Sequence, residues 1–290
     1  MDARPVVVGV DGSEPAMAAV RWAAGEAARR GLPVRLVAAF GWPDIQPPGE
    51  TILTTDYRAE LLREAREHLS AAADVAEQTA PGLLVEQQVV TGYPAAVLRA
   101  EAEHAELLVL GHRGTGGVVG LFLGSVAVST AAHAGCPVVV VRSPDAARRS
   151  PELPVVVGVD GSSHAEAAIA FAYQAASTRG VPLVAVHTWT DLLFEPSVGP
   201  LLDWEAIEAR ERRILDERLA GWSEKYPDVT VRRVVTSSAP APILLEQAAN
   251  AQLVVVGSRG RGNLAGVLLG SVSHALLHRA PCPVAVVRAG

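Results

Sequence analysis

Short apolar runs and longer stretches with helical spacing alternate along the whole chain. The run Val6–Val10 ends at an Asp-Gly turn, which is typical of a strand buried on both faces. Glu14–Arg30 is alanine-rich with apolar residues at helical spacing, and Gly31 follows it as a helix stop. Continued in this way, the pattern of the first half predicts alternating strands and helices at Val6–Val10, Glu14–Arg30, Pro33–Phe40, Asp56–Ala80, Leu83–Thr91, Pro94–Glu103, Glu106–Leu110, Ser125–Ala134 and Pro137–Val141.

The second half of the chain repeats the first. The segment PVVVGVDGS at Pro5–Ser13 recurs unchanged at Pro154–Ser162, and later segments recur in the same order. We therefore expect two domains, over residues 1–143 and 154–290, joined by a linker at 144–153. The second half predicts elements at Val155–Val159, Ala165–Arg179, Val181–Thr188, Asp203–Tyr226, Val229–Thr236, Ala241–Asn250, Gln252–Val256, Ser271–Ala280 and Pro283–Val287.

The alternation of strands and helices predicts the fold class. Parallel strands need crossover connections, and such crossovers are right-handed. Each half should therefore be a doubly wound, Rossmann-like α/β domain, with a five-stranded parallel sheet flanked by helices. In such sheets, ligands bind outside the carboxyl ends of the strands, where the strand order reverses.

Composition removes several classes of function. The net charge is -6 and no run of basic residues stands out, which argues against nucleic-acid binding. Lys225 is the only lysine and lies far from any glycine-rich loop in the sequence, which argues against a P-loop NTPase and against a protein kinase. The two cysteines, Cys136 and Cys282, fit a reduced, buried state. No apolar stretch reaches the length of a membrane span, and we expect a cytoplasmic protein with no membrane contact.

The loop after the first strand of each half carries an acidic residue. Asp11 and Asp160 follow buried strands directly, at the edge where a ligand is expected, so we interpret both as ligand contacts and candidate Mg²⁺ ligands. Ser13 and Ser162 come two residues later, and we interpret both as helix N-caps.

The loop after the fourth strand of each half has a repeated glycine spacing. Gly111 and Gly114 are followed by nine residues and then by Gly124-Ser125, and Gly257 begins the same pattern in the second half. Glycines let backbone amides approach an anion, and the helix that follows points its N-terminus at the same place. This G-x2-G-x9-G-S arrangement suits a polyphosphate. A simple connecting loop is the alternative.

Together with VGVDGS, this spacing resembles the ATP-binding branch of the universal stress protein family in its tandem form. The resemblance implies one ATP per domain, with Mg²⁺, and a phosphate shell that we extend to the neighbouring loop residues. The resemblance also implies adenine contacts near Phe40 and Trp189, and a contact of Asp191 with the second nucleotide. The implied binding residues are Gly9, Asp11, Gly111, His112, Arg113, Gly114, Thr115, Gly116, Gly117, Gly124, Ser125, Val126, Gly158, Asp160, Gly257, Ser258, Arg259, Gly260, Arg261, Gly262, Asn263, Gly270, Ser271, Val272 and Ser273.

The two sites are not identical in sequence. Thr115 and Gly117 of the first loop correspond to Arg261 and Asn263 of the second. Because the first loop carries fewer side-chain donors, we expect the first site to bind ATP more weakly.

The function expected from these features is that of an ATP-binding regulator in a stress response. The site has anion loops and carboxylates but no evident catalytic base or lysine, so we expect a non-enzyme that signals to an unidentified protein partner, as a homodimer. A slow ATPase or a nucleotidyl-transfer enzyme stays open as the alternative. His274 and His278, one helical turn apart, form a possible metal pair that lacks a third ligand.

Overall fold

A computed structural model gives the fold of the chain. It describes residues 3–41, 55–114, 123–142, 150–162, 165–189, 203–260 and 269–288. The chain divides into two compact units, one up to residue 148 and one from residue 149 onward. Some predicted site residues lie outside the described ranges: Thr115, Gly116, Gly117, Asp191, Arg261, Gly262 and Asn263.

The described part of the first unit contains a five-stranded parallel sheet and four helices. The strand order is β3-β2-β1-β4-β5, and each neighbouring pair runs parallel. The elements are β1 (Val6–Gly9), α1 (Glu14–Arg30), β2 (Val34–Phe40), α2 (Thr55–Thr79), β3 (Val85–Thr91), α3 (Pro94–Ala102), β4 (Leu107–Gly111), α4 (Ser125–His133) and β5 (Val138–Val141).

The second unit repeats this arrangement over its described residues. Its strand order is β8-β7-β6-β9-β10, again with parallel neighbours. The elements are β6 (Val155–Val159), α5 (Glu166–Arg179), β7 (Leu183–Trp189), α6 (Trp204–Lys225), β8 (Val231–Ser237), α7 (Pro240–Ala249), β9 (Leu253–Gly257), α8 (Ser271–Arg279) and β10 (Val284–Val287).

Aliphatic side chains explain why the central strands form. The three valines of β1, Val6–Val8, are fully buried, as are the three residues Leu107–Val109 of the neighbouring β4. A buried valine or leucine stabilises the fold by about 1.5–3 kcal/mol relative to an exposed one. These runs are apolar at every position because helices cover both faces of the sheet. The predicted doubly wound α/β class is confirmed.

The two serines predicted as helix caps behave differently. Ser13 is the N-cap of α1, and its hydroxyl accepts a hydrogen bond from the backbone N–H of Ala16 at 3.3 Å. Ser162 does not cap α5, which begins at Glu166 with Ala165 at the N-cap position. The prediction for Ser162 is wrong because the second helix starts later than the repeated sequence suggests.

The topology brings particular loops together in each unit. The chain runs outward from β1 to β2 and β3, then returns to β4 on the other side of β1. The carboxyl ends of β1 and β4 therefore lie side by side at the point where the strand order reverses. The equivalent strands of the second unit are β6 and β9. Among the described helices, none is both long and apolar enough to cross a membrane.

Candidate functional site

The loop after the first strand of each unit is a tight turn closed by its aspartate. Oδ1 of Asp11 accepts hydrogen bonds from the backbone N–H of Ser13 at 3.1 Å and from its hydroxyl at 2.6 Å. Asp160 receives the same two bonds from Ser162, at 2.9 and 2.7 Å. Gly12, which lies between Asp11 and Ser13, has φ +79°, a conformation that residues with a Cβ rarely adopt. The sequence Asp-Gly-Ser thus fixes the position of the carboxylate.

The loop after β4 is closed at its base by backbone hydrogen bonds. The N–H of Gly124 donates to the carbonyl of His112 at 2.8 Å, and Gly270 donates to Ser258 at the same distance. Helix α4 then begins at Ser125, and helix α8 begins at Ser271. No side chain forms a capping hydrogen bond at the N-terminus of either helix. Their first amides are therefore available to an anion at this edge of the sheet.

The two loops meet in both units. A Cβ built on Gly114 would collide with the carboxylate of Asp11, and one built on Gly260 would lie 3.3 Å from Oδ2 of Asp160. The structure therefore places the aspartate of the first loop beside the second glycine of the G-x2-G motif. Glycine is needed here because a side chain would fill the space in front of the carboxylate.

Other glycines of the motif are explained by packing within the protein. A Cβ on Gly111 would lie 2.6 Å from the carbonyl carbon of Pro15, in the first turn of α1. A Cβ on Gly9 would lie 2.7 Å from Leu110, and one on Gly158 would lie 3.0 Å from Leu244. These positions lack side chains because the strands and helices approach closely there.

A cavity of about 490 Å³ lies over the two loops of the second unit. This volume falls in the usual range of small-molecule sites. The cavity is lined both by residues of these loops and by apolar side chains. Its lining includes these predicted residues: Gly158, Asp160, Gly257, Arg259, Gly260, Gly270, Ser271, Val272 and Ser273.

The apolar wall of this cavity was not predicted from the sequence. Val186 and Thr188 of β7 line it, together with Pro240 and Leu244 of α7. Side chains on a strand point alternately to the two faces of a sheet, so residues 186 and 188 share one face. The alternation of side chains along β7 could have identified residues 186 and 188 from the sequence, given that β7 lies next to β6 in the sheet.

Trp189 does not line the cavity, and neither does Ser258, which is buried. The indole of Trp189 stacks instead on Trp204, with 5.9 Å between ring centroids. Phe40, the matching residue of the first unit, is also buried, at 5% exposure. Both aromatic residues do occupy the ends of the second strands, as expected.

The site of the first unit carries a histidine whose pKa is lowered. Burial is the main cause of the low pKa of His112, and the positive charges of Arg113 and Arg142 lower it further. Burial also lowers the pKa of Arg142, again with a contribution from Arg113. The positive charges of Arg113 and Arg142 therefore lie near the imidazole of His112, at the edge that also carries the carboxylate of Asp11.

Two further sequence features lie away from the loops. The ammonium group of Lys225 lies over the rings of Trp222 and Tyr226, at 5.0 and 5.5 Å from their centroids. The rings of His274 and His278 are tilted by 38° to each other, with 4.4 Å between their centroids. Within the described ranges, no cluster of three potential metal-ligating side chains occurs.

In each unit, two loops meet at the carboxyl ends of a parallel sheet, at the point where the strand order reverses. The chain is thus a tandem doubly wound α/β protein, a class in which ligands bind at the carboxyl ends of the strands. Comparison with known proteins specifies the family. The model of the universal stress protein family matches twice, over residues 3–142 and 153–288. The chain belongs to the universal stress protein family.

Relatives of similar length share the tandem arrangement. Universal stress proteins of Mycobacterium tuberculosis and Mycolicibacterium smegmatis are each 43% identical to the chain, over 98% of it and 96% of their own length. A solved universal stress protein from Archaeoglobus fulgidus has a TM-score of 0.74 at 21% identity, with both chains covered completely. A putative one from Pseudomonas aeruginosa has a TM-score of 0.58 at 17% identity, covering 98% of this chain and 92% of its own. These two structures support the fold.

Proposed function

We propose that the protein binds ATP, one molecule per unit, and acts as a regulatory protein in a stress response. The observation that carries the proposal is the cavity of the second unit, which joins an apolar wall to a glycine-rich anion loop. An adenine ring has apolar faces, and a triphosphate is a chain of anions. The apolar side chains and the loop residues that line the cavity suit these two parts of one ligand.

The loop residues that line the cavity supply donors suited to phosphates. Gly257 and Gly260 expose backbone, Ser271 begins α8, and Arg259 contributes a guanidinium group. Backbone amides at a helix N-terminus favour anions through both hydrogen bonding and the helix dipole. The apolar side chains of the lining, which include Val186 and Leu244, would receive the base.

The donor set fits a magnesium ion that is shared with the nucleotide. Mg²⁺ is commonly held by one or two carboxylates plus substrate phosphates and waters. Asp160 supplies one carboxylate at the cavity, and its Oδ1 is fixed by Ser162. Asp11 holds the same position in the first unit. When bound, Mg²⁺ would offset part of the phosphate charge.

The site is better suited to binding ATP than to hydrolysing it rapidly. Hydrolysis at a useful rate requires a positioned base and cationic groups around the transferred phosphate. The only lysine, Lys225, lies over aromatic rings at the end of α6. A slow ATPase or a nucleotidyl-transfer enzyme is the alternative.

The composition of the bound nucleotide tests the proposal. The purified full-length protein is denatured, and the released small molecules are separated by chromatography. We expect ATP at up to two molecules per chain. ADP or AMP in its place would favour the enzymatic alternative, and a chain that neither retains nor rebinds any adenine nucleotide would refute the proposal.

A paired substitution makes the test specific to the site. Asp11→Asn with Asp160→Asn removes both charges but keeps an oxygen that can accept the hydrogen bonds of the two serines. We expect ATP affinity to fall about tenfold or more, with little change in melting temperature. Glu208→Gln, at an exposed acid paired with Arg212, is the control and should leave ATP affinity unchanged.

The other expectations from the sequence stay predictions. They are the homodimer, the unidentified protein partner, the cytoplasmic location, the weaker first site and the domain limits at residues 143 and 154.

A further inference from the structure

Two side chains hold the backbone on either side of Asp160 in the second unit. Nδ1 of His187, in β7, lies 2.8 Å from the carbonyl oxygen of Val159, the residue before the aspartate. Because a carbonyl oxygen only accepts hydrogen bonds, Nδ1 carries the hydrogen and donates it. Nε of Arg218, in α6, donates to the carbonyl of Gly161, the residue after the aspartate, at 3.1 Å. Asp160 thus lies between two backbone groups that side chains restrain.

Both restraints lead to helix α6. Nε2 of His187 lies 2.8 Å from a carboxylate oxygen of Glu211, and Arg218 lies about two turns later on the same helix. His187 is fully buried, so the packing around it fixes the orientation of its ring. Gly161 lies beyond the end of β6, outside the sheet, and its φ of +79° turns the chain sharply. The position of this turn therefore depends on its contacts with α6.

The carboxylate of Asp160 lines the cavity, whereas the residues that restrain its backbone do not. Its Oδ1 accepts two hydrogen bonds from the serine two residues later. His187 and Arg218 do not belong to the cavity lining. His187 faces the other side of the sheet, because its neighbours in β7, Val186 and Thr188, face the cavity. Residues that touch no ligand can still raise affinity by fixing a residue that does.

The first unit lacks one of these restraints. Ala38 occupies the position that matches His187 in the repeated sequence, and a methyl group cannot donate a hydrogen bond. The imidazole of His68, in α2, packs against Gly12 of the first turn, since a Cβ on that glycine would collide with it. The two turns have the same Asp-Gly-Ser sequence but different support from their own units. The first site is therefore an internal comparison for the second.

We propose that His187 and Arg218 are positioning residues of the second unit's ligand site, and that they act by holding the turn that carries Asp160. With the carbonyls before and after it fixed, the carboxylate of Asp160 meets the ligand with little further loss of conformational freedom. ATP as the ligand rests on the proposed function, whereas the restraint of the turn does not.

Amide hydrogen exchange in the ligand-free, full-length protein tests the restraint itself. The backbone N–H of Ser162 donates to Asp160, so its exchange rate reports how often the turn opens. We expect Arg218→Gln to raise this rate about tenfold, the factor that corresponds to the loss of one hydrogen bond. Arg212→Gln, on the same helix in an exposed pair with Glu208, is the matched control and should leave the rate unchanged. An unchanged rate in Arg218→Gln would overturn the proposal, whether or not the protein binds ATP.

Calorimetric titration with ATP and Mg²⁺ tests the consequence for binding. At one of the two sites, Arg218→Gln should weaken ATP affinity about tenfold. Arg218→Lys, which keeps a cationic donor, should restore most of the affinity. His187→Leu should weaken the same site by a similar factor, whereas His187→Asn should not, because its amide can donate in place of Nδ1. All four variants should leave the other site unchanged.

A double substitution separates positioning from a general loss of packing. When Asp160→Asn is already present, adding Arg218→Gln should change ATP affinity by less than about twofold, because the carboxylate that Arg218 positions is absent. A second tenfold loss would show that Arg218 acts on the site independently of Asp160, and would overturn the proposal.

The outcomes separate this inference from the proposed function. If the wild type binds ATP, and both Arg218→Gln and His187→Leu leave the affinity of both sites unchanged, the inference fails although the proposed function survives. If no adenine nucleotide binds, but exchange at Ser162 is faster in Arg218→Gln and not in the control, the restraint is supported and the proposed function fails. Should His187→Leu not fold, the two Arg218 variants and the exchange rates decide.

Discussion

The imidazole of His187 lies 2.8 Å from a carboxylate oxygen of Glu211, which joins β7 to α6 inside the second unit. The other ring nitrogen lies 2.8 Å from the carbonyl oxygen of Val159, the residue before Asp160. His187 is fully buried. His187 therefore connects helix α6, through Glu211, to the end of β6, where the candidate ligand contact Asp160 follows.

Replacement of His187 by alanine, the residue at the matching position Ala38 of the first unit, should destabilise the second unit. We expect a loss of about 3 kcal/mol in the free energy of unfolding, because a carboxylate whose side chain is only 14% exposed and a backbone carbonyl both lose their partner. Urea denaturation measures this loss. Glu208→Ala, one turn earlier on α6 in an exposed pair, should change it by less than about 0.5 kcal/mol. Equal effects of the two substitutions would contradict the role given to His187.

Gly111→Ala should destabilise the first unit through a backbone collision. The added Cβ would lie 2.6 Å from the carbonyl carbon of Pro15, so the start of α1 would have to move. We expect a loss of about 2 kcal/mol in the free energy of unfolding. Gly221→Ala is the control, since a Cβ there meets nothing within 4 Å in α6, and it should stabilise the fold by about 0.5–1 kcal/mol. A neutral Gly111→Ala would show that α1 does not pack as described.

His112 should make the ligand-free protein less stable in mild acid. Its pKa is lowered in the folded state, so the unfolded chain takes up the proton first as the pH falls through about 6.5. Protonation then favours unfolding, and stability is lost as the pH falls towards the folded-state pKa. Compared by urea denaturation at pH 7 and pH 5, His112→Ser should gain stability relative to the wild type at the lower pH. Parallel profiles would contradict the burial of the imidazole.

Cys136 should react slowly with thiol reagents in the folded protein. Burial raises the pKa of its thiol to about 12, so only about one molecule in 10⁴ carries the thiolate at pH 8. Cys282 is also shielded, since it is fully buried. Titration with a disulfide reagent should therefore detect both cysteines only after denaturation. Rapid labelling of Cys136 in the native protein would show that it is exposed.

The sequence predicted the loops of the site better than its walls. Asp11 and Gly114 are far apart in the chain, yet their proximity follows from the fold, because the carboxyl ends of neighbouring parallel strands meet at one edge. The walls depend on which side chains face the cavity. Val186 and Leu244 face it because of strand alternation and helix packing, neither of which appears as a motif. Ser162 shows the converse, since a repeated motif did not produce a repeated helix cap.

By itself, the sequence determined the doubly wound fold of each half and the glycine spacing of the loops that follow β4 and β9, because apolar periodicity and glycine spacing are local properties of the chain. Tertiary structure alone decided that His187 pairs with Glu211 and that Arg142 joins His112 and Arg113. These residues lie far apart in sequence, and no local pattern links them. Their interactions arise only when strands and helices pack, because charge and hydrogen bonding act over distances that the fold sets.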